Sequence, residues 1–254
     1  MAHADATSGR VALITGSGKR RVGNVVAERL AARGYRIALH YNRSKEEAER
    51  TVVRLKERGM EVVALRADLA EEAEVDRLFE AALQRFGRLD VLVTAAAVWE
   101  PKPLEEVAAA DVRRQFEINA LGTFLCCQRG GLVMVGQREG GAIVTVGDWA
   151  VARPYLGYAA YFPSKGAIPA ITRTLAVELA HRNPRVRVNC VLPGPVMLPD
   201  DLSPDERKEA VAGTLLKREG RPEHVAQAVL FFVENDFVTG VCLPVDGGRT
   251  IAGG

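Results

Sequence analysis

Short, nearly unbroken apolar runs alternate along the chain with longer stretches of helical periodicity. The runs are Val11–Thr15, Arg36–Tyr41, Glu61–Leu65, Val91–Val93, Ala142–Val146, Val186–Leu192 and Val241–Val245. A strand that is apolar on both faces belongs in a parallel sheet covered by helices on both sides. Between the runs, Val22–Arg33, Lys45–Arg58, Glu72–Phe86 and Ile168–His181 carry apolar residues at helical spacing. Gly34, Gly59 and Gly87 stand where helix C-termini are expected. The alternation continues without a break in composition. It predicts one α/β domain over residues 1–254, doubly wound, with a mostly parallel seven-stranded sheet. Gly130 and Gly131 interrupt a helical pattern over Phe116–Arg138, which calls for a kink or close packing there.

Composition narrows the function classes. The 34 Lys and Arg residues against 32 Asp and Glu give a net charge of +2, which excludes a strongly basic nucleic-acid binder. No apolar run reaches ~18 residues, so no membrane span is expected. Met1–Arg10 lacks the apolar stretch of a signal peptide. None of the four cysteines forms a Cys-x-x-Cys pair and the four histidines are scattered, so no metal site is expected. Cys126 and Cys127 read as buried thiols of a reduced, cytoplasmic protein.

The first run ends in Thr15-Gly16-Ser17-Gly18-Lys19-Arg20-Arg21-Val22-Gly23, and a helix follows. Such a turn lets backbone approach a pyrophosphate, and the helix N-terminus stabilises its charge. An acidic residue after the second strand would hold a ribose 2′-hydroxyl. Here that place reads His40-Tyr41-Asn42-Arg43-Ser44, with a cation and neutral donors suited to a 2′-phosphate. Lys19, Arg20 and Arg21 add charge from the first turn, and either arginine could take the phosphate. NADP (as NADPH) is therefore expected over NAD, against the blander reading of a solvated basic turn. Pro193–Gly220 follows the sixth strand at the sheet edge where ligands bind, and reads as a substrate-covering loop with a short helix near Asp205–Ala212.

Tyr161 and Lys165 are four residues apart and share a helix face. A phenol of pKa near ~10 is a poor proton donor and acceptor at neutral pH. An ammonium beside it lowers that pKa, and the pair can then exchange a proton while a nicotinamide exchanges hydride. The spacing alone is more often a surface accident.

With these motifs the chain resembles the short-chain dehydrogenase/reductase family over essentially its whole length. Thr15–Gly23, Asp68-Leu69, Asn119, Tyr161 with Lys165, Pro193-Gly194 and Val245-Asp246-Gly247-Gly248 carry the resemblance. It implies a Rossmann-like fold with Asp68 and Leu69 flanking adenine. Asn119 would hold a water in a proton relay, and Pro193, Gly194 and Val196 would border the nicotinamide. Ala95, Ala96 and Val146 would line the cofactor, Asp246–Gly248 would be structural, and the assembly would be a homotetramer. Three departures stand out. The first turn is one residue longer than the family's usual spacing, and Thr94-Ala95-Ala96-Ala97 replaces the family's Asn-Asn-Ala-Gly. Asp148 takes the place of the catalytic Ser, 13 residues before Tyr161.

A carboxyl can carry a proton to a ring nitrogen where a hydroxyl only orients a carbonyl. Asp148 with Tyr161 and Lys165, together with His40–Ser44, is similar to the pteridine reductase branch. That resemblance implies Trp99 stacking on a planar substrate, with Asp148, Tyr158 and Tyr161 around it. The plainer readings are a partly buried Trp99 and an Asp148 that merely caps a turn. The expected activity is NADPH-dependent reduction of C=N or C=O, on a pterin-type small molecule. Tyr158 lies seven before Lys165, which is also the spacing of enoyl-thioester reductases. Enoyl- or 3-oxoacyl-thioester reduction is thus the alternative, and a non-catalytic NADP-binding sensor or scaffold is the rival from another class.

Overall fold

Seven strands, β1 (Val11–Thr15), β2 (Arg36–Tyr41), β3 (Val62–Arg66), β4 (Val91–Thr94), β5 (Gly141–Val146), β6 (Val186–Pro193) and β7 (Cys242–Val245), form one sheet in the order β3-β2-β1-β4-β5-β6-β7. Every neighbouring pair is parallel. The computed structural model describes residues 9–198 and 202–252. The strand order reverses between β1 and β4, which opens a crevice at the carboxyl ends of these two strands. The seven apolar runs recur within one residue at each end.

The helices are α1 (Val22–Ala31), α2 (Lys45–Glu57), α3 (Glu72–Phe86), α4 (Ala109–Gln115), α5 (Gly122–Val135), α6 (Tyr161–Arg182), α7 (Pro204–Ala212) and α8 (Pro222–Glu234). They cover the sheet on both faces. Val75, Leu78, Phe79, Leu125, Met134 and Leu179 pack on one face with Leu13 and Leu92. Val26, Leu30, Leu55, Val225, Val229 and Phe232 pack on the other with Ile14 and Val93. The expected short helix in the Pro193–Gly220 segment is α7, capped by the Ser203 hydroxyl on the Glu206 amide. Residues 199–201 of that segment, and 1–8 of the Met1–Arg10 stretch, lie outside the described residues.

Two elements differ from expectation. α6 begins at Tyr161, seven residues before Ile168. Pro163 falls in its first turn, where the missing N–H has no intrahelical acceptor to lose. The prolines masked the periodicity, not the helix. Second, a π-helical turn over Phe116–Leu121 joins α4 to α5. The continuous run Ala109–Val135 is thereby long and apolar enough to cross a membrane by length and composition, contrary to the sequence expectation. More than half of its apolar window is buried inside the protein, and Leu125, Cys126, Cys127 and Met134 sit in the core. It is built as a core helix. Gly130 and Gly131 lie within the continuous helix α5. A Cβ at Gly131 would lie 2.4 Å from Leu179 Cδ1 and one at Gly130 2.8 Å from Leu92 Cδ2, so the glycines let α5 approach α6 and β4.

Candidate active site

The glycine turn after β1 sits against the extension of β4. Gly16 has φ +65°, and a Cβ there would lie 2.6 Å from Ala96 Cα. The Ala96 amide donates to Thr15 Oγ1 at 3.1 Å. α1 follows Arg21, with no side chain capping it and no acidic residue in its first turn. Its N-terminal amides and partial positive charge therefore suit an anion. A Cβ on Gly23 would lie 3.0 Å from Gly16 O and 3.3 Å from Ala95 Cβ, so a side chain there would crowd the turn. A Cβ on Gly18 would lie 2.6 Å from Ser44 Oγ, which shows how closely the first turn meets the exit of β2. Exposed Arg20, Arg21 and Arg43 and half-buried Val22, Asn42 and Ser44 thus gather around one rim. This cradle fits a dinucleotide pyrophosphate.

Two expected cofactor contacts are spent elsewhere. His40 is 2% exposed. Its Nδ1 accepts from the Gly16 amide at 3.1 Å, and its Nε2 lies 3.0 Å from Ala67 O. This pairing makes Nε2 the protonated nitrogen. Burial pushes its pKa down to about 4, so the ring is neutral. Ser17 donates its hydroxyl to Ile14 O at 2.7 Å and accepts from the His40 amide at 3.2 Å. Both side chains brace the turn from behind. The Leu69 side chain is buried in the core cluster that also holds Val75. Asp68 is half-buried and accepts from the Ala70 amide at 3.1 Å. Across the crevice, Pro193 ends β6, the Gly194 amide donates to Val245 O at 3.0 Å, and Val196 bridges to Gly220. Asp246 accepts from Gly248 and Thr250, which holds the Gly247-Gly248 turn.

Asp148 leaves β5 and begins a short turn. Its Oδ1 accepts from the Ala150 amide at 2.9 Å, and its Oδ2 accepts from the Tyr161 hydroxyl at 2.8 Å. The cap and the catalytic reading thus share one carboxyl. Burial raises the pKa of Asp148, against the hydrogen bonds from Ala150 and Tyr161. Lys165 is buried and donates to Val146 O at 2.9 Å, not to the phenol. Burial lowers its pKa. The expected lowering of the Tyr161 pKa is therefore reversed here. Burial raises it first, and the Asp148 charge and hydrogen bond raise it further.

Asn119 lies on the π-helical turn. Its Oδ1 accepts from the Val98 amide at 2.8 Å, and its Nδ2 lies 3.0–3.1 Å from Val98 O, Gln115 Oε1 and Ser164 Oγ. That side chain ties the β4 extension to α6, and its polar atoms are paired within the protein. Ser164, which also donates to Tyr161 O at 2.6 Å, was not singled out from sequence, where a lone Ser carries no signal. The Trp99 ring lies flat on Tyr158, with centroids 5.1 Å apart and planes 5° apart. Tyr155 stands edge-on to Tyr158 and Phe162. It lies in a Pro-Tyr-Leu-Gly turn whose spacing says nothing of this cluster.

Residues 17–250 match the family described as enoyl-(acyl carrier protein) reductase. The chain belongs to the short-chain dehydrogenase/reductase family. It is 36% identical over 240 residues to carbonyl reductase family member 4 of Danio rerio, covering 94% of this chain and 97% of that protein. It is 32% identical over 250 residues to a 3-oxoacyl-[acyl-carrier-protein] reductase of Synechocystis sp., covering 97% and 99%. A dehydrogenase/reductase from Sinorhizobium meliloti superposes with a TM-score of 0.87 at 30% identity, covering 95% of each chain. As a short-chain dehydrogenase/reductase the chain is an oxidoreductase of the nicotinamide-dependent type.

Proposed function

We propose that this enzyme is an NADPH-dependent reductase of a ring-borne C=N or C=O in a small planar substrate, with pterins as the favoured class. The observation that carries the reading is the 2.8 Å hydrogen bond from Tyr161 to a buried carboxyl at position 148. With its pyrophosphate held on the glycine turn, a reduced nicotinamide cofactor would supply the hydride. Tyr161 stays protonated in its buried setting and presents its O–H where a substrate oxygen or ring nitrogen can replace Asp148 as acceptor. Asp148, its pKa raised, can hold a proton beside the same position and pass it on through Tyr161. Lys165 fixes the end of β5 through Val146 and keeps a cation next to the pair. The Trp99–Tyr158 stack adds a flat apolar wall.

NADPH is favoured by the arginines around the rim and by the absence of an acidic side chain in Tyr41-Asn42-Arg43-Ser44. Arg43→Ala should raise the dissociation constant for NADPH by about 10-fold or more, for loss of a charged hydrogen bond of roughly 1.5–3 kcal/mol. NADH binding should not change. We propose a homotetramer as the assembly, supported by exposed Phe116, Leu121 and Leu132 on the α4–α5 run. Light scattering in solution tests it.

A second reading, 3-oxoacyl-thioester reduction, is favoured by the name of the Synechocystis relative. NADPH oxidation with a dihydropterin and with an acetoacetyl thioester as sole acceptors separates the two. Turnover of the pterin that is lost in Asp148→Ser supports the first reading. An inert pterin with an active thioester overturns it in favour of the second.

A further inference from the structure

We propose that Cys190 and Cys242 form a dithiol that a hydroperoxide converts to a disulfide across the β6–β7 pair. The inference is independent of the substrate reading. Cys190 and Cys242 are register partners on neighbouring parallel strands, so their side chains leave the same face of the sheet. Adjacent strands lie ~4.8 Å apart, inside the ~4.4–6.8 Å window of Cα separations that a disulfide bridges.

Their surroundings divide the roles. Cys242 is partly exposed and Cys190 is fully buried. The neighbouring Cys190 thiol, with help from the Arg173 charge, holds the Cys242 pKa below the usual thiol value against its partial burial. Cys190 is raised by the Cys242 sulfur and by burial. Cys242 is thus the attacking thiolate and Cys190 the resolving thiol. Cys126 and Cys127 are a built-in control. Both are buried in the core, and burial pushes both up, Cys127 to about 12.

With hydrogen peroxide as the oxidant, the Cys242 thiolate first attacks one peroxide oxygen. An S–O bond forms, the O–O bond breaks, and hydroxide leaves and is protonated to water. The sulfur has lost two electrons and the peroxide has gained them. Cys190 sulfur then attacks Cys242 sulfur. The S–S bond forms, the S–O bond breaks, and the departing hydroxide takes the Cys190 proton. Two thiols and one peroxide become one disulfide and two waters. The bond would lie behind the site. A Cβ on Gly147, the residue before Asp148, would be 3.3 Å from Cys190 Sγ.

The test treats the 254-residue chain with a small excess of hydrogen peroxide, then blocks remaining thiols with N-ethylmaleimide in denaturant. The number of blocked thiols should fall from four to two. Non-reducing peptide mass analysis should show a Cys190–Cys242 link that dithiothreitol removes. Cys190→Ser should instead leave a sulfenic acid on Cys242 that dimedone traps. Cys126→Ser should still lose the pair. Persistence of all four thiols overturns the proposal. So does oxidation of Cys242 to sulfinic acid with Cys190 still free in the native protein.

Discussion

The hydroxyl of Tyr161 donates to Asp148 Oδ2 at 2.8 Å, while Lys165, one helical turn on, points its ammonium at the carbonyl of Val146. The phenol is therefore paired with an acid and is held in its protonated form. Removing only the hydroxyl, in Tyr161→Phe, deletes the donor that a substrate atom would engage. Turnover should fall about 10²- to 10⁴-fold, the usual worth of a positioned proton donor. NADPH affinity, measured by fluorescence titration, should hold, because the glycine turn is untouched. Unchanged turnover in Tyr161→Phe would remove Tyr161 from the chemistry.

Asp148 also sets a pH dependence of stability. Its folded pKa is raised by burial above the ~3.9 of an unfolded Asp. Above that unfolded value the unfolded chain gives up this proton while the folded chain still holds it. Stability from this group is thus full at low pH and is lost as pH rises through the folded pKa. Asp148→Asn keeps an acceptor for Ala150 and Tyr161 without the charge. Its melting temperature relative to the parent should increase from about pH 4 to about pH 7. A difference that stays flat over that range would show Asp148 to be ionised at no cost.

Strand positions and the identity of the Asp148, Tyr161 and Lys165 cluster were legible because both rest on local pattern. A buried parallel strand needs an apolar run, and a shared helix face needs only a spacing of four. Direction of interaction was not legible. Whether Lys165 faces the phenol or Val146, and whether His40 faces the crevice or the back of the turn, depends on packing that no spacing encodes. The π-helical turn at Phe116–Leu121 has no sequence period of its own. Trp99 was recognised as aromatic at the right place, but its partner Tyr158 is 59 residues away, and only the fold sets the two rings face to face.

Asn119 is the hub between the β4 extension and α6. Asn119→Leu would leave the Val98 amide and carbonyl without their side-chain partners in a largely buried place. Each unsatisfied group costs about 1–3 kcal/mol. Urea unfolding should show a loss of at least about 2 kcal/mol. Turnover should fall as well, since Ser164 and the start of α6 lose their tie. A variant as stable as the parent would mean that water takes over these bonds and that Asn119 is no anchor.

His40 gives the second pH signature, opposite in sign to that of Asp148. Burial lowers its folded pKa from 6.5 to about 4. Between those values the unfolded chain binds a proton that the folded chain refuses. Stability is therefore complete above about pH 6.5 and drains away as pH falls toward 4. At ~1.4 kcal/mol per pKa unit the whole effect is roughly 3 kcal/mol, and about 2 kcal/mol of it is spent by pH 5. His40→Gln cannot titrate, and its amide oxygen can still accept from Gly16. The parent should exceed this variant in urea-unfolding free energy at about pH 7.5, and the gap should close by about 2 kcal/mol at pH 5. Carboxylates titrate equally in both proteins and cancel in the comparison. A gap that does not change with pH would mean that the His40 ring reaches solvent and does not brace the glycine turn.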